Sequence, residues 1–278
     1  MRTRWWLSVL FVGLLVFSML FVGCGKDDDE EVPEQPELPP TGIFNSVDFS
    51  LFLNPDSIFN PAIKSLDRCA HFDTACFIVG VSCVVIEAAF FWPKIAFALA
   101  MTQEPTYEGD LTWRWTLGHE DNNISLYAIL TSSHDSVDWE MRVTNAEVSN
   151  FLWYSGRCNF AATGGWWEFN DKDTLNEEFP VLWVGWERNP TDTTGSLTIA
   201  NINESDTEGY GDTISYWRDG LISNAILNIH GGDRPGIWTI IWHSTEHWGT
   251  IFYPEGEQFC WDDSAQCIEC DSLDLPPM

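Results

Sequence analysis

The chain predicts a mainly β fold: an antiparallel up-and-down meander forming a barrel or half-barrel, preceded by short apolar helices that pack on or into it. Three observations carry this. From Asp110 the text breaks into short runs alternating apolar and polar residues, separated by loops such as "GHEDNN", "SSHDS" and "DTEGYGD". Recurrent period-two runs at that spacing are the mark of an antiparallel sandwich or barrel. No interval between the runs holds a helical crossover, so antiparallel pairing is expected over parallel. Upstream, Ala75 to Trp92 is apolar nearly all round and needs a large apolar surface to lie against.

Residues 1–23 read as a secretory leader. Arg2 and Arg4 open it, Trp5 to Val22 is an almost unbroken apolar run, and Phe21-Val22-Gly23-Cys24 closes it. That closing stretch resembles a bacterial lipobox, with Phe21 where leucine is usual. The following Gly25-Lys26-Asp27-Asp28-Asp29-Glu30-Glu31 resembles the acidic export tag of Bacteroidetes-type surface lipoproteins. The resemblance covers residues 1–31 alone and implies lipidation (palmitate) at Cys24. It also implies outer-membrane attachment, on the cell surface or in the periplasmic leaflet. The residues themselves leave a cleaved signal with an acidic linker, or an uncleaved membrane helix, as alternatives. Residues 24–42 form an acidic, Pro-rich tether whose "EVPEQPELPP" has little to bury and extends stiffly.

Residues 43–109 read as a helical segment. Asn60-Pro61 opens a helix to about His71, Asp73-Thr74 caps a second, and Pro93 ends or kinks it before Lys94 to Met101. Burial in a core is preferred over a membrane span for 75–92, because a lipid anchor already supplies attachment.

The β domain is placed at 110–262, with a Cys-containing tail at 263–278. The expected strands begin with 111–117, 124–130, 137–144, 151–158, 165–170 and 180–186. They continue with 196–202, 213–218, 222–229, 237–243 and 248–253. Mostly short links favour a meander curled on itself, with the apolar helices covering its mouth or filling its concave face. As architecture, without any shared motif, this is similar to calycin-type and LolA/LolB-like envelope proteins.

Besides Cys24 there are seven cysteines: Cys69, Cys76, Cys83, Cys158, Cys260, Cys267 and Cys270. Export makes disulfides the default, and seven leaves one over. On one helix, Cys69, Cys76 and Cys83 are about 10 Å apart per step and cannot bond one another. At least one bridge from the tail to the segment Cys69–Cys83 is therefore expected, with free buried thiols the alternative for Cys76 and Cys83. The lone Cys267-x-x-Cys270 is too little for zinc.

Composition excludes several partners. Lys+Arg number 13 against 42 Asp+Glu, for a net charge of −29. Phosphate binding needs cations, so nucleic acid and anionic lipid headgroups are unsuitable partners. The scarcity of lysine points to a saline environment.

One motif invites a sharper reading. "WHSTEHWG", Trp242 to Gly249, contains the H-x-x-E-H of zinc peptidases, which needs both histidines on one helix face. Here both flanks are β-branched and aromatic, so the stretch reads as a hairpin tipped by Ser244-Thr245-Glu246. Symmetric folding pairs Trp242 with Trp248 and His243 with His247; a longer loop would slip that register. No catalytic residue, metal ligand or cofactor is assigned. The acidic loops Asn170 to Glu178 and Asn203 to Asp212 offer possible calcium ligands, but the first lacks the glycine an EF-hand turn requires, and solvated acidic loops are the preferred reading of both.

Fourteen tryptophans lie beyond the leader. At strand spacing they are chiefly core, with some rim positions left for binding. The expectation is a membrane-anchored, non-enzymatic binding module for an apolar or glycan ligand. The alternatives are a structural envelope protein that binds another protein, or a glycan-active hydrolase whose carboxylate pair is invisible in sequence.

Overall fold

The computed structural model describes residues 68–133, 135–161, 163–175, 177–189 and 194–273, without the side chains of residues 83 and 87–90. The leader, Cys24, the tether and the expected helix from Asn60 lie outside the described residues, apart from the last few positions of that helix.

A continuous helix, α1 (Ala70–Ala100), replaces the separate segments expected there. Cys69 is extended (φ −63°, ψ 119°) and serves as N-cap. Asp73 therefore falls inside the first turn rather than capping it, and pairs with Arg68 at 2.7 Å. Pro93 does not end the helix. Proline in a helix interior costs about 3 kcal/mol through its missing N–H. Here the ring is buried, and the Tyr154 hydroxyl donates to the Pro93 carbonyl at 3.2 Å. Packing along the helix outweighs the local penalty.

Among the described residues, fourteen strands follow in one sheet. They are β1 (Thr106–Gly109), β2 (Thr112–His119), β3 (Asn122–Leu130), β4 (Ser136–Thr144), β5 (Phe151–Asn159), β6 (Gly164–Lys172) and β7 (Glu178–Asn189). The rest are β8 (Thr194–Asn201), β9 (Thr213–Asp219), β10 (Ile222–Ile229), β11 (Gly236–His243), β12 (Gly249–Phe252), β13 (Gln258–Trp261) and β14 (Cys267–Ile268). Spatial order equals chain order and every pair is antiparallel, so the meander is complete. It does not close: β1 pairs with β2 and β14 with β13, but not with each other. The sheet begins before residue 110 and runs into the expected tail. β1, β13 and β14 escaped the sequence reading because runs of four, four and two residues are too short to show a period.

α1 packs on β2 and β3 near one edge and on β12, β13 and β14 at the other, so the sheet curls around it. The Cys69 N–H donates to the Ala265 carbonyl at 2.9 Å, and the Phe72 ring meets Trp261 edge-on at 5.6 Å. At the far end Phe97 meets Trp139 (5.3 Å) and Trp167 (6.3 Å). The concave face is thus filled by the helix.

The buried sheet face is built by alternation of large and small residues. Across β2 to β7 one register row reads Trp113, Ala128, Trp139, Gly156, Trp167, Val184. Another, from β10 to β13, reads Ser223, Trp242, Gly249, Trp261. An indole reaches across its neighbour only if that neighbour is small, which is how interiors attain close packing. A Cβ on Gly156 would sit 2.4 Å from Trp167 Cε3, and one on Gly249 would sit 2.4 Å from Trp261 Cζ2.

Burial of α1 is one-sided, contrary to the expectation of a wholly buried helix. Phe72, Ala75, Val79, Ser82, Ile86, Pro93, Ala96, Phe97 and Ala100 are buried. Their spacing of three and four makes one stripe. Only 31% of the most apolar 18-residue stretch is buried, although α1 is long and apolar enough to cross a membrane.

Candidate functional site

The H-x-x-E-H stretch is a hairpin loop. Trp242 pairs with Gly249, one residue beyond the symmetric fold, and the His243 N–H donates to the Trp248 carbonyl at 2.9 Å. The longer loop wins for two reasons. His247 takes the left-handed conformation (φ 69°) that closes it. Only glycine fits between Trp242 and Trp261, so Trp248 cannot occupy that inward position. The motif's polar atoms are then engaged locally. His243 Nδ1 accepts from the Glu246 N–H at 2.9 Å, and Glu246 Oε2 accepts from Trp248 Nε1–H at 2.9 Å. The His243 ring stacks on Trp248 with centroids 5.3 Å apart. Among the described residues, no three His, Cys, Asp or Glu side chains are grouped to hold a metal ion.

The acidic loops are likewise self-satisfied. Asp173 Oδ1 accepts the backbone N–H groups of Leu175 (2.7 Å) and Glu177 (2.9 Å). Asp206 accepts from Asn201 Nδ2 at 2.8 Å and from the Gly209 N–H at 3.2 Å, bonds that hold its carboxyl below the usual range. Asp212 accepts from the His230 N–H at 2.7 Å, with His230 Nδ1 3.1 Å away.

Four of the candidate cysteines are bridged. Cys69–Cys267 is the expected tie from the tail to the helix, and Cys260–Cys270 closes a short loop. Cys158 is a correction to the disulfide set, and Cys76 takes the alternative expected for it: both are free thiols. Cys158 points inward beneath the sheet, where its Sγ accepts from Trp139 Nε1–H at 3.3 Å. Burial pushes the Cys158 thiol up, and pushes half-buried Cys76 up to about 12. The Cys83 side chain and Cys24 lie outside the described residues.

Trp113, Trp115, Trp139, Trp167, Trp186, Trp238, Trp242 and Trp261 are buried, which accounts for eight of the fourteen. The outward face of β6 and β7 carries a different pair. Trp166 is 37% exposed and pairs across strands with Gly185. Trp183, two residues before Gly185 on the same face, lays its indole over that glycine: a Cβ there would meet Trp183 Cη2 at 2.3 Å. Glycine is what lets the ring lie flat against the sheet instead of standing off it.

Polar groups surround this platform. Glu168 sits opposite Trp183 and two residues along from Trp166, so all three share the face. Its carboxylate accepts no hydrogen bond from the described residues. On the other side, Thr198 pairs with Gly185, and its hydroxyl lies 3.1 Å from that of Ser215. Two nearby arginines are already paired: Arg157 binds Asp138 through two hydrogen bonds, and Arg142 pairs with Glu140 at 2.8 Å, while exposed Glu187 lies two residues beyond Gly185 on the same face. Glu140 and Glu168 both flank Ser155 in the register, two strand spacings or about 10 Å apart, on an open face rather than in a cleft. The signal for the platform was present in sequence as tryptophans on the polar face of alternating runs. What selects Trp166 and Trp183 from the other half-exposed indoles is their convergence on Gly185, a cross-strand fact.

No protein-family model, curated protein or solved structure matches the chain.

Proposed function

We propose that this protein is a non-catalytic glycan-binding module, lipid-anchored through Cys24 to the outer membrane and displayed towards the medium. The observation that carries the reading is the flat Trp183 indole over Gly185, beside exposed Trp166 and the unengaged Glu168 carboxylate. A pyranose ring offers a face of C–H groups and a rim of hydroxyls. Indole faces match the former, and a carboxylate with paired hydroxyls matches the latter, with charged acceptors giving the stronger bonds. The filled concave face supports a ligand on the convex side rather than an apolar ligand inside. A net charge of −29 favours neutral or amino sugars over anionic polysaccharides.

The test is retention of the mature chain on neutral polysaccharide gels and titration with the oligosaccharides of those that retard it. Trp166→Ala and Trp183→Ala are each expected to weaken binding about tenfold, roughly 1.4 kcal/mol, with the melting temperature within a few degrees of wild type. Glu168→Gln should weaken binding to a similar extent. Failure of every neutral glycan to bind, or equal binding by all three variants, defeats the reading.

A further inference from the structure

α1 shows solvent an apolar stripe opposite its buried one. Phe77 is 72% exposed, Val81 46%, Val84 64%, Val85 54% and Phe91 52%. These positions recur at helical spacing, and no charged residue is among them. From Phe77 to Phe91 is 14 residue steps, about 21 Å at the rise of an α-helix. A row of exposed apolar side chains of this kind marks a contact that is still to be made.

We propose that its occupant is the segment of this same chain that leads into the helix, residues 43–67. Its sequence, "IFNSVDFSLFLNPDSIFNPAIKSLD", is rich in large apolar residues, among them Phe44, Val47, Phe49, Phe52, Ile58 and Phe59. Phe59, Ala62, Ile63 and Leu66 fall at spacings of three, one and three, which gathers them on one side of a helical turn. Two apolar surfaces adjoining in sequence are joined at high effective concentration, so their contact needs no bimolecular encounter.

The junction permits the return. Cys69 is extended where α1 begins and is fixed there by its bridge to Cys267 and by its N–H bond to Ala265. The incoming chain therefore need not continue the helix axis and can turn back along it, as in a helical hairpin. From Ala70 to Phe91 the helix rises about 32 Å, well within the reach of 25 residues. Other occupants fit less well. A second copy would bring two chains of net charge −29 together, and anionic lipid would repel the same charge.

The experiment places a photo-crosslinking benzoylphenylalanine at Val84 in the full-length chain, with the same probe at exposed Leu221 as control. Mass mapping is expected to find Val84 joined to residues 43–67, and Leu221 not. A paired substitution, Phe52→Ser with Phe59→Ser, is expected to cut the Val84 cross-link at least fivefold and raise binding of an apolar dye. It should leave the β-sheet circular dichroism unchanged. Cross-links from Val84 to a second copy, to acyl chains or to another protein overturn the proposal, as does the absence of any cross-link. Glycan retention is unaffected by either result, so the two proposals stand or fall separately.

Discussion

The alternation of indole and glycine across the buried sheet face makes Gly156→Ala the most informative single perturbation. Gly156 lies between Trp139 and Trp167 in the register. A methyl there would come within 2.3 Å of the Trp166 carbonyl oxygen, 2.4 Å of Trp167 Cε3 and 2.8 Å of Trp167 Cδ2. Overpacking of a core by one methyl costs about 1–3 kcal/mol. The upper end applies, because one of the three atoms is backbone and Trp167 is 1% exposed with no room to swing. At about 3 kcal/mol, and 2–4 °C per kcal/mol in a domain of this size, the melting temperature should fall by roughly 6–12 °C. Gly80→Ala is the matched control, since a Cβ there meets nothing within 4 Å in the helix interior. It removes a poor helix former and should stabilise by about 1 kcal/mol, raising the melting temperature by roughly 2–4 °C. Scanning calorimetry and urea unfolding of both variants would decide it. A Gly156→Ala protein melting within 2 °C of wild type would falsify the close-packed rows on which the fold description rests.

Other outcomes follow from the bridges and the thiols. Cys69–Cys267 closes 198 residues and Cys260–Cys270 closes 10. The chain-entropy relation then gives about 5 and about 3 kcal/mol for their separate removal by Cys→Ala pairs. Equal losses in urea unfolding would contradict that ordering. Cys76, pushed up to about 12 mainly by burial, stays a thiol in the fold while the unfolded chain ionises near 9. Its contribution is intact below pH 9 and is lost as pH rises towards 12, so stability should decline across that window. Native labelling of Cys76 and Cys158 by a thiolate-specific reagent at pH 8 should be slow and limited by opening of the fold. Rapid stoichiometric labelling would refute their burial.

The meander was legible because its signal is local. Side chains alternate across an extended chain whatever surrounds it, so Trp113 and Trp115 declare their face within five residues, and the turns declare themselves by composition. A Cys69–Cys83 link to the tail was also foreseeable, since helix geometry forbids bridges within one helix. Less was legible where distant contacts compete with local preference. Pro93 should end or kink a helix, and Tyr154 and the buried sheet face carry the helix on past it. Symmetric folding about Thr245 is the natural reading of "WHSTEHWG", yet Trp261, from another strand, admits only Gly249 opposite Trp242.

By itself, then, the sequence determined the period of the longer strands, the order of the meander and the acidity of the chain. These depend on backbone geometry and on summed charge, neither of which needs a neighbour. Tertiary structure decided the side of α1 left bare, the cysteines that met and the two tryptophans that came to flank one glycine on an open face. Each of those is a meeting of residues remote along the chain, and the curl of the sheet that brings them together belongs to no single segment.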